Sequence, residues 1–472
     1  MKVRVRFAPS PTGPFSLGNA RTALFNWLFA RHEEGTFLLR IEDSDRERSK
    51  PEYERELVDA LAWLGFASDE PLVRQSERLD RYERHLTTLI NERKAYWCFC
   101  TTEELDLVHE AQLAQGLPPK YKGTCRALTD EEVASRRATG TPAVVRFRMP
   151  SHTVSFTDLV RGRVEFNTDL IGDIIIARGL RDPLYNFAVV VDDHEMDITH
   201  VIRGEDHLSN TPKQIALYNA LGWEHPQFAH LPLILGPDRK KLSKRFLTAS
   251  LLDYRREGYL PEAVLNFLVL LGWHPVQDRE IISLPDMIKE FSLKRVQKGG
   301  AVFNPEKLDW LNGAYLRALS PTALTDRLLD FLPPALFPDR TFLEKAVMLE
   351  RDRMKKFSEF TTLAAFLFKL PDYPPSLLIW KQNHPAVTKR ILESLLSALL
   401  QIERNNFTAA TVERVVTPIA ETEGRGEVLW PFRVALSGQE ASPGPFELAD
   451  TLGKDEIERR VRIAIAKLER LS

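Results

Sequence analysis

Val3, Val5 and Phe7 alternate with Lys2, Arg4 and Arg6, a period of two that predicts a strand. The next stretch, Ala8 to Gly18, carries Pro9, Pro11, Gly13 and Pro14 and reads as a loop. Ala20, Ala23, Leu24, Trp27 and Leu28 then recur at helical spacing. A second strand, Thr36 to Ile41, runs into the acidic Glu42-Asp43-Ser44-Asp45. Strand, glycine-bearing loop, helix and strand in that order open a nucleotide-binding α/β layer.

From about Glu92 to Asp182 the pattern changes. A Glu-rich helical stretch (103–114) and short β-like runs (143–148 and 163–167) predict an inserted α+β module. The α/β pattern resumes at 184–192, where Ala188-Val189-Val190-Val191 reads as a buried strand. Thr211-Pro212-Lys213-Gln214 predicts a helix start, with Thr211 as cap, Pro212 in the first turn and Gln214 closing a capping box. Phe228 to Leu235 is the next strand, and it delivers a basic loop, Arg239 to Arg245. Beyond Thr248 the chain reads almost wholly helical. In the last helix Ile457, Val461, Ala464, Ile465, Leu468 and Leu471 form one stripe. Proline-rich breaks at 332–334 and 371–375 mark joints between helical parts.

A length of 472 residues implies several domains, and 43% hydrophobic with 28% charged residues fits a globular protein in water. The N-terminal segment has no apolar signal-peptide core, and the most apolar stretch, Phe267 to Trp273, is too short to cross a bilayer. A cytoplasmic protein without membrane contact is expected. The net charge of −2 neither supports nor excludes a nucleic-acid partner, which needs only a local basic face.

Gly18 stands where a helix begins, so its backbone and the free N–H groups there can approach a phosphate. The lysines of the basic loop can hold a polyphosphate. Either feature alone is more often a turn or a solvated face. Each follows a strand, however, and such loops meet at the carboxyl edge of a parallel sheet. The three cysteines, Cys98, Cys100 and Cys125, are an odd number clustered in one stretch, poor arithmetic for disulfides and reasonable arithmetic for a metal. The alternative is three reduced thiols in a small core.

Ser16-Leu17-Gly18-Asn19 followed by Lys241-Leu242-Ser243-Lys244-Arg245 resembles the paired signatures of the class I aminoacyl-tRNA synthetases, and the flanking residues resemble those of the bacterial glutamyl enzymes. Supporting stretches are Arg40-Ile41-Glu42-Asp43-Ser44-Asp45, Tyr185-Asn186-Phe187 and Val201-Ile202-Arg203-Gly204-Glu205-Asp206-His207. The segment 299–312 is similar to the stretch leading into the family's anticodon-binding region. The resemblance implies a Rossmann-like catalytic domain (1–91 and 183–247) with an inserted α+β acceptor-binding module (92–182). A helical stem-contact domain (248–318) and two helical anticodon-binding domains (319–374 and 375–472) would follow.

The same resemblance implies glutamate activation by ATP with Mg²⁺, then transfer to the 2′-hydroxyl of the terminal adenosine of tRNA-Glu, by a monomer. Lys241, Lys244 and the residue at Ser16 would be catalytic, and Gly18, Asn19, Asp206 and Ser243 would complete the ATP site. Arg6 and Arg203 would hold the side-chain carboxylate of L-glutamate, Glu42 its ammonium, with Ser10 and Tyr185 beside them. Cys98, Cys100, Tyr121 and Cys125 resemble a structural zinc site, with His109 a weaker fourth ligand and Ala127 standing where a His is common. Arg351 would read the third anticodon base. Two positions depart from the family: Ser16 replaces the first motif His, and Phe246-Leu247 replace His-Gly. Losing one transition-state donor costs on the order of 10²–10³ in rate, so a catalytically weakened tRNA- or nucleotide-binding paralogue, or an active-site variant, is the alternative.

Overall fold

The computed structural model describes residues 2–240, 250–333 and 339–471. They form two units, Met1–Arg255 with Pro261–Leu308, and Arg256–Leu260 with Asp309–Ser472. The first unit is built around β1 (Arg4–Phe7), β2 (Thr36–Ile41) and β3 (Val73–Arg74), with α1 (Leu17–His32), α2 (Pro51–Trp63) and α3 (Leu79–Asn91) between and after them. Its middle part contains β4 (Ala95–Cys98), α4 (Thr102–Ala114), α5 (Asp130–Ala138), β5 (Val144–Phe147), β6 (Thr153–Asp158), β7 (Gly162–Asn167), β8 (Ile174–Gly179) and β9 (Asp182–Pro183). Then come α6 (Tyr185–Glu195), β10 (His200–Gly204), α7 (Thr211–Leu221) and β11 (Gln227–Leu231).

The main sheet has the order β3-β2-β1-β10-β11-β6-β7. All neighbours are parallel except the β6–β7 hairpin. The jump from β1 to β10 is a reversal of strand order, where the loops after the two strands diverge and leave a crevice. β2 is buried along nearly its whole length, as expected of a parallel strand covered on both faces. Asn26 in α1 donates to the Ile202 carbonyl at 3.0 Å and so ties that helix to β10.

A second sheet, β4-β5-β8-β9, is antiparallel and belongs to the segment whose composition differs. Both of its helices start on reciprocal capping boxes, Thr101 with Glu104 and Thr129 with Glu132. The β6–β7 hairpin of the same segment does not join that sheet; it extends the main one, with Phe228 of β11 opposite Asp158.

Two sequence expectations are corrected. The run 184–192 is not a strand: Tyr185–Glu195 is helix α6. Phe187, Ala188, Val189, Val190 and Val191 are all buried, so the helix is apolar on every side and its period is hidden. Thr211 is not the cap of α7 either. Asn210 precedes the helix without a side-chain cap bond, and the Thr211 hydroxyl turns to Arg203 and His230. Gln214 donates to Asn186 at 3.1 Å instead of closing a box.

The second unit is helical among its described residues. The helix Pro385–Leu400 packs on Lys454–Glu469, whose Ile457, Val461, Ala464 and Leu468 are buried as the stripe predicts. Leu471 is exposed. Arg460, on the same helix, is fully buried and donates to the Leu367 carbonyl at 3.0 Å.

Candidate active site

The crevice between β1 and β10 holds a cavity of about 450 Å³. Strand β1 contributes Arg6, the following loop Ser10, and the start of α1 contributes Ser16, Gly18 and Asn19. Glu42 enters from the end of β2, Tyr185 from the first turn of α6, and Arg203 and Asp206 from the end of β10. The structure thus gathers around one space every glutamate-site and ATP-site residue expected from sequence that lies in the described chain. Lys241, Ser243 and Lys244, with Phe246 and Leu247, lie outside the described residues.

Arg6 and Glu42 are both buried. Arg6 donates to Asp193 from Nε at 2.9 Å and from Nη2 at 3.3 Å. Arg40, behind it, donates to the same carboxylate at 2.7 Å and to Glu42 at 3.1 Å. Burial raises the Glu42 carboxyl above its ordinary range, against the pull of Arg40 and Arg6. A ligand cation placed beside it would favour the ionised form. Asp192, next to Asp193, accepts from Tyr82 at 2.8 Å, Gln75 at 2.9 Å and Arg78 at 2.7 Å. Two arginines and an acid are therefore fixed before any ligand arrives.

On the β10 side the Arg203 guanidinium donates to the Tyr185 hydroxyl at 3.3 Å and to Thr211 at 2.8 Å. Burial raises the Tyr185 phenol, so it stays a neutral donor and acceptor. Sequence reasoning missed Asp193, Arg40 and His230. Asp192-Asp193 after an apolar run was a visible signal, because carboxylates at the end of a buried segment need cationic partners. His230, a single ring in a strand, carried none.

Ser16 caps α1, its hydroxyl accepting from the Asn19 N–H at 3.4 Å. A Cβ on Gly18 would meet only Ser16 Oγ, at 3.7 Å, so the space beside this glycine is open to a ligand.

The cysteine cluster stands apart, on β4 and the loops after it and after α4. The three sulfurs lie within 4.8 Å of one another. Cys100 Sγ is 3.6 Å from Cys125 Sγ, and the Tyr121 hydroxyl is 3.3 Å from Cys98 Sγ and 3.6 Å from Cys100 Sγ. A tetrahedral zinc with thiolate ligands spaces its sulfurs by about 3.8 Å, so three thiols and the phenol oxygen fit such an ion. His109 is outside this group. Arg351, at the end of the helix Arg340–Glu350 in the second unit, is half-buried and pairs with its neighbour Asp352 at 3.3 Å.

Residues 2–310 match the family model described as tRNA synthetases class I (E and Q), catalytic domain. The chain belongs to the class I tRNA synthetases of the E and Q group. Residues 323–465 of this synthetase match an anticodon binding domain. It is 45% identical to the glutamate–tRNA ligase of Aquifex aeolicus, over 99% of both chains. It is 42% identical to that of Moorella thermoacetica, over 98% of this chain and 97% of the relative. The crystal structure of a glutamate tRNA ligase from Elizabethkingia meningosepticum in complex with its amino acid superposes with a TM-score of 0.90. That match has 36% identity and covers 99% of this chain and all of the other. The doubly wound catalytic layer followed by a helical anticodon-binding part is the class I synthetase fold. None of the described helices is long and apolar enough to cross a membrane.

Proposed function

We propose that this synthetase is an ATP-dependent glutamate–tRNA ligase. The observation that carries the reading is the convergence of two buried arginines, Arg6 and Arg203, with the buried Glu42 on one cavity beside the start of α1. Planar guanidinium groups suit the side-chain carboxylate of glutamate, and a carboxylate suits its ammonium. The glutamate α-carboxylate attacks the α-phosphate of ATP, forming glutamyl-adenylate and releasing pyrophosphate. The 2′-hydroxyl of the terminal tRNA adenosine then takes the glutamyl group, and AMP leaves.

Gly18, Asn19 and Asp206 border the nucleotide in this reading, with Ser16 at the helix N-terminus near the phosphates. Lys241, Ser243 and Lys244 are assigned to the triphosphate, whose developing transition-state charge their side chains would offset. Mg²⁺ accompanies ATP. A zinc ion held by Cys98, Cys100, Cys125 and Tyr121 is structural, because it fastens β4 to the loops beyond it. Residues 92–182 receive the acceptor end of the tRNA, 248–318 its stem, and 319–374 with 375–472 its anticodon. Arg351 is offered as a base reader. A cytoplasmic monomer completes the proposal.

The test is charging of purified tRNA-Glu with labelled glutamate and ATP, alongside an adenylate-formation assay. Esterification that Lys244→Ala reduces supports the ligase. Tight tRNA binding without charging would replace it with the weakened paralogue.

A further inference from the structure

We infer that Asp158 and His230 act as a relay that positions Arg203 with its charge unspent. The inference rests on the reading of the cavity as a glutamate site, and it adds the residues that prepare one wall. Strand register sets the geometry. Arg203 on β10 is directly opposite His230 on β11, and Asp158 on β6 reaches His230 from the other side. His230 Nδ1 lies 2.6 Å from an Asp158 carboxylate oxygen. The other Asp158 oxygen accepts the backbone N–H groups of Val160 at 2.9 Å and Arg161 at 2.8 Å. An ionised carboxylate only accepts, so the ring proton belongs on Nδ1 and Nε2 keeps its lone pair. That lone pair faces Arg203 Nε at 3.2 Å and the Thr211 hydroxyl at 3.1 Å.

The consequence is a difference between the two arginines of the pocket. Arg6 already spends its charge on Asp193. Arg203 is held by a phenol, a hydroxyl and a neutral imidazole, and among the described residues no carboxylate forms an ion pair with it. Its charge is therefore available to an incoming carboxylate. His230 and Asp158 are both fully buried and neither borders the cavity, so each is a positioning residue. Burial raises an acid such as Asp158, but His230 and the backbone amides outweigh it and hold the carboxyl below its ordinary range. Burial lowers His230; Asp158 opposes this, and Arg203 and Arg161 add to it. The charged and titratable groups facing the ring are thus Asp158, Arg203 and Arg161, with His207 farther off.

Two substitutions separate positioning from packing. In His230→Gln the amide oxygen stands in for the Nε2 acceptor. In His230→Asn the amide nitrogen stands in for the Nδ1 donor, and Arg203 Nε loses its acceptor while Tyr185 and Thr211 keep the other nitrogens. Steady-state charging should show glutamate KM raised by about tenfold or more in H230N, with H230Q within about threefold of wild type and ATP KM unmoved in both. Wild-type glutamate KM should rise only as pH falls below the ordinary histidine range, where the buried His230 takes up a proton. The part of that limb due to His230 should vanish in H230Q, while any part due to His207 remains. Equal changes in H230Q and H230N, or parallel changes in glutamate and ATP KM, would overturn the inference. If either variant fails to fold, Asp158→Asn decides: it frees the tautomer and should raise glutamate KM, and an unchanged KM overturns the relay. A wild-type enzyme that does not use glutamate removes the functional reading and the relay together, whereas normal glutamate use with an unchanged H230N removes the relay alone.

Discussion

The Asp193 carboxylate sits between Arg6 and Arg40, 2.9 Å from the first guanidinium and 2.7 Å from the second. Burial raises an acid, but the two cations outweigh it and hold Asp193 below the ordinary carboxylate range. One buried acid therefore fixes a cavity-lining arginine directly and orients Glu42 through Arg40.

Asp193→Asn leaves two buried guanidinium groups facing a neutral amide. Breaking a buried charge cluster in this way costs about 3–5 kcal/mol. Urea unfolding should show that loss, and glutamate KM should rise in any folded fraction because Arg6 is no longer aimed.

Ser16→His exchanges a helix cap for a longer donor. The lost cap costs about 1 kcal/mol. If the imidazole reaches the phosphates, adenylate formation should accelerate by on the order of 10²–10³, read as ATP–pyrophosphate exchange. A rate that does not move would show that the Ser16 enzyme is already competent or limited elsewhere.

Cys125→Ser removes one of three gathered thiols. Metal analysis of the purified wild type should find about one zinc per chain, and the variant should have lost it. Thermal melting should fall, while KM values for glutamate and ATP stay near wild type because the cluster does not line the cavity.

Glu350, in the second unit, is a buried acid whose only ion-pair partner among the described residues is Arg353 at 2.8 Å, and one of its oxygens has no hydrogen-bond partner. Burial raises it from 4.5 to about 6, against Arg353. A raised acid favours the protonated fold. Its contribution is present below pH 4.5 and is lost as pH climbs through about 6. Glu350→Gln should therefore stabilise this unit at pH 8 by up to about 2 kcal/mol and change nothing at pH 4. Melting curves at the two pH values check it.

Much of the catalytic layer was legible because β1 alternates along the chain and the Pro and Gly residues after it mark off the start of α1. α6 was misread because a helix buried on every side looks the same as a buried strand over four residues. Arg6 and Glu42 were legible as site residues only through their neighbours in sequence, since nothing local marks them as buried. Asp158 and His230 were not legible at all. Their meeting depends on β6 joining β11 across seventy residues of chain, and no spacing rule encodes that pairing.

The hairpin β6–β7 has a consequence for how the chain can be altered. It arises within the segment that interrupts the catalytic layer, yet it ends the main sheet and carries Asp158 to His230. Excising 92–182, or trading it for the matching segment of another enzyme, would also exchange a support of the pocket wall. Chimeras would need their crossovers placed so that β6, β10 and β11 are inherited from one parent.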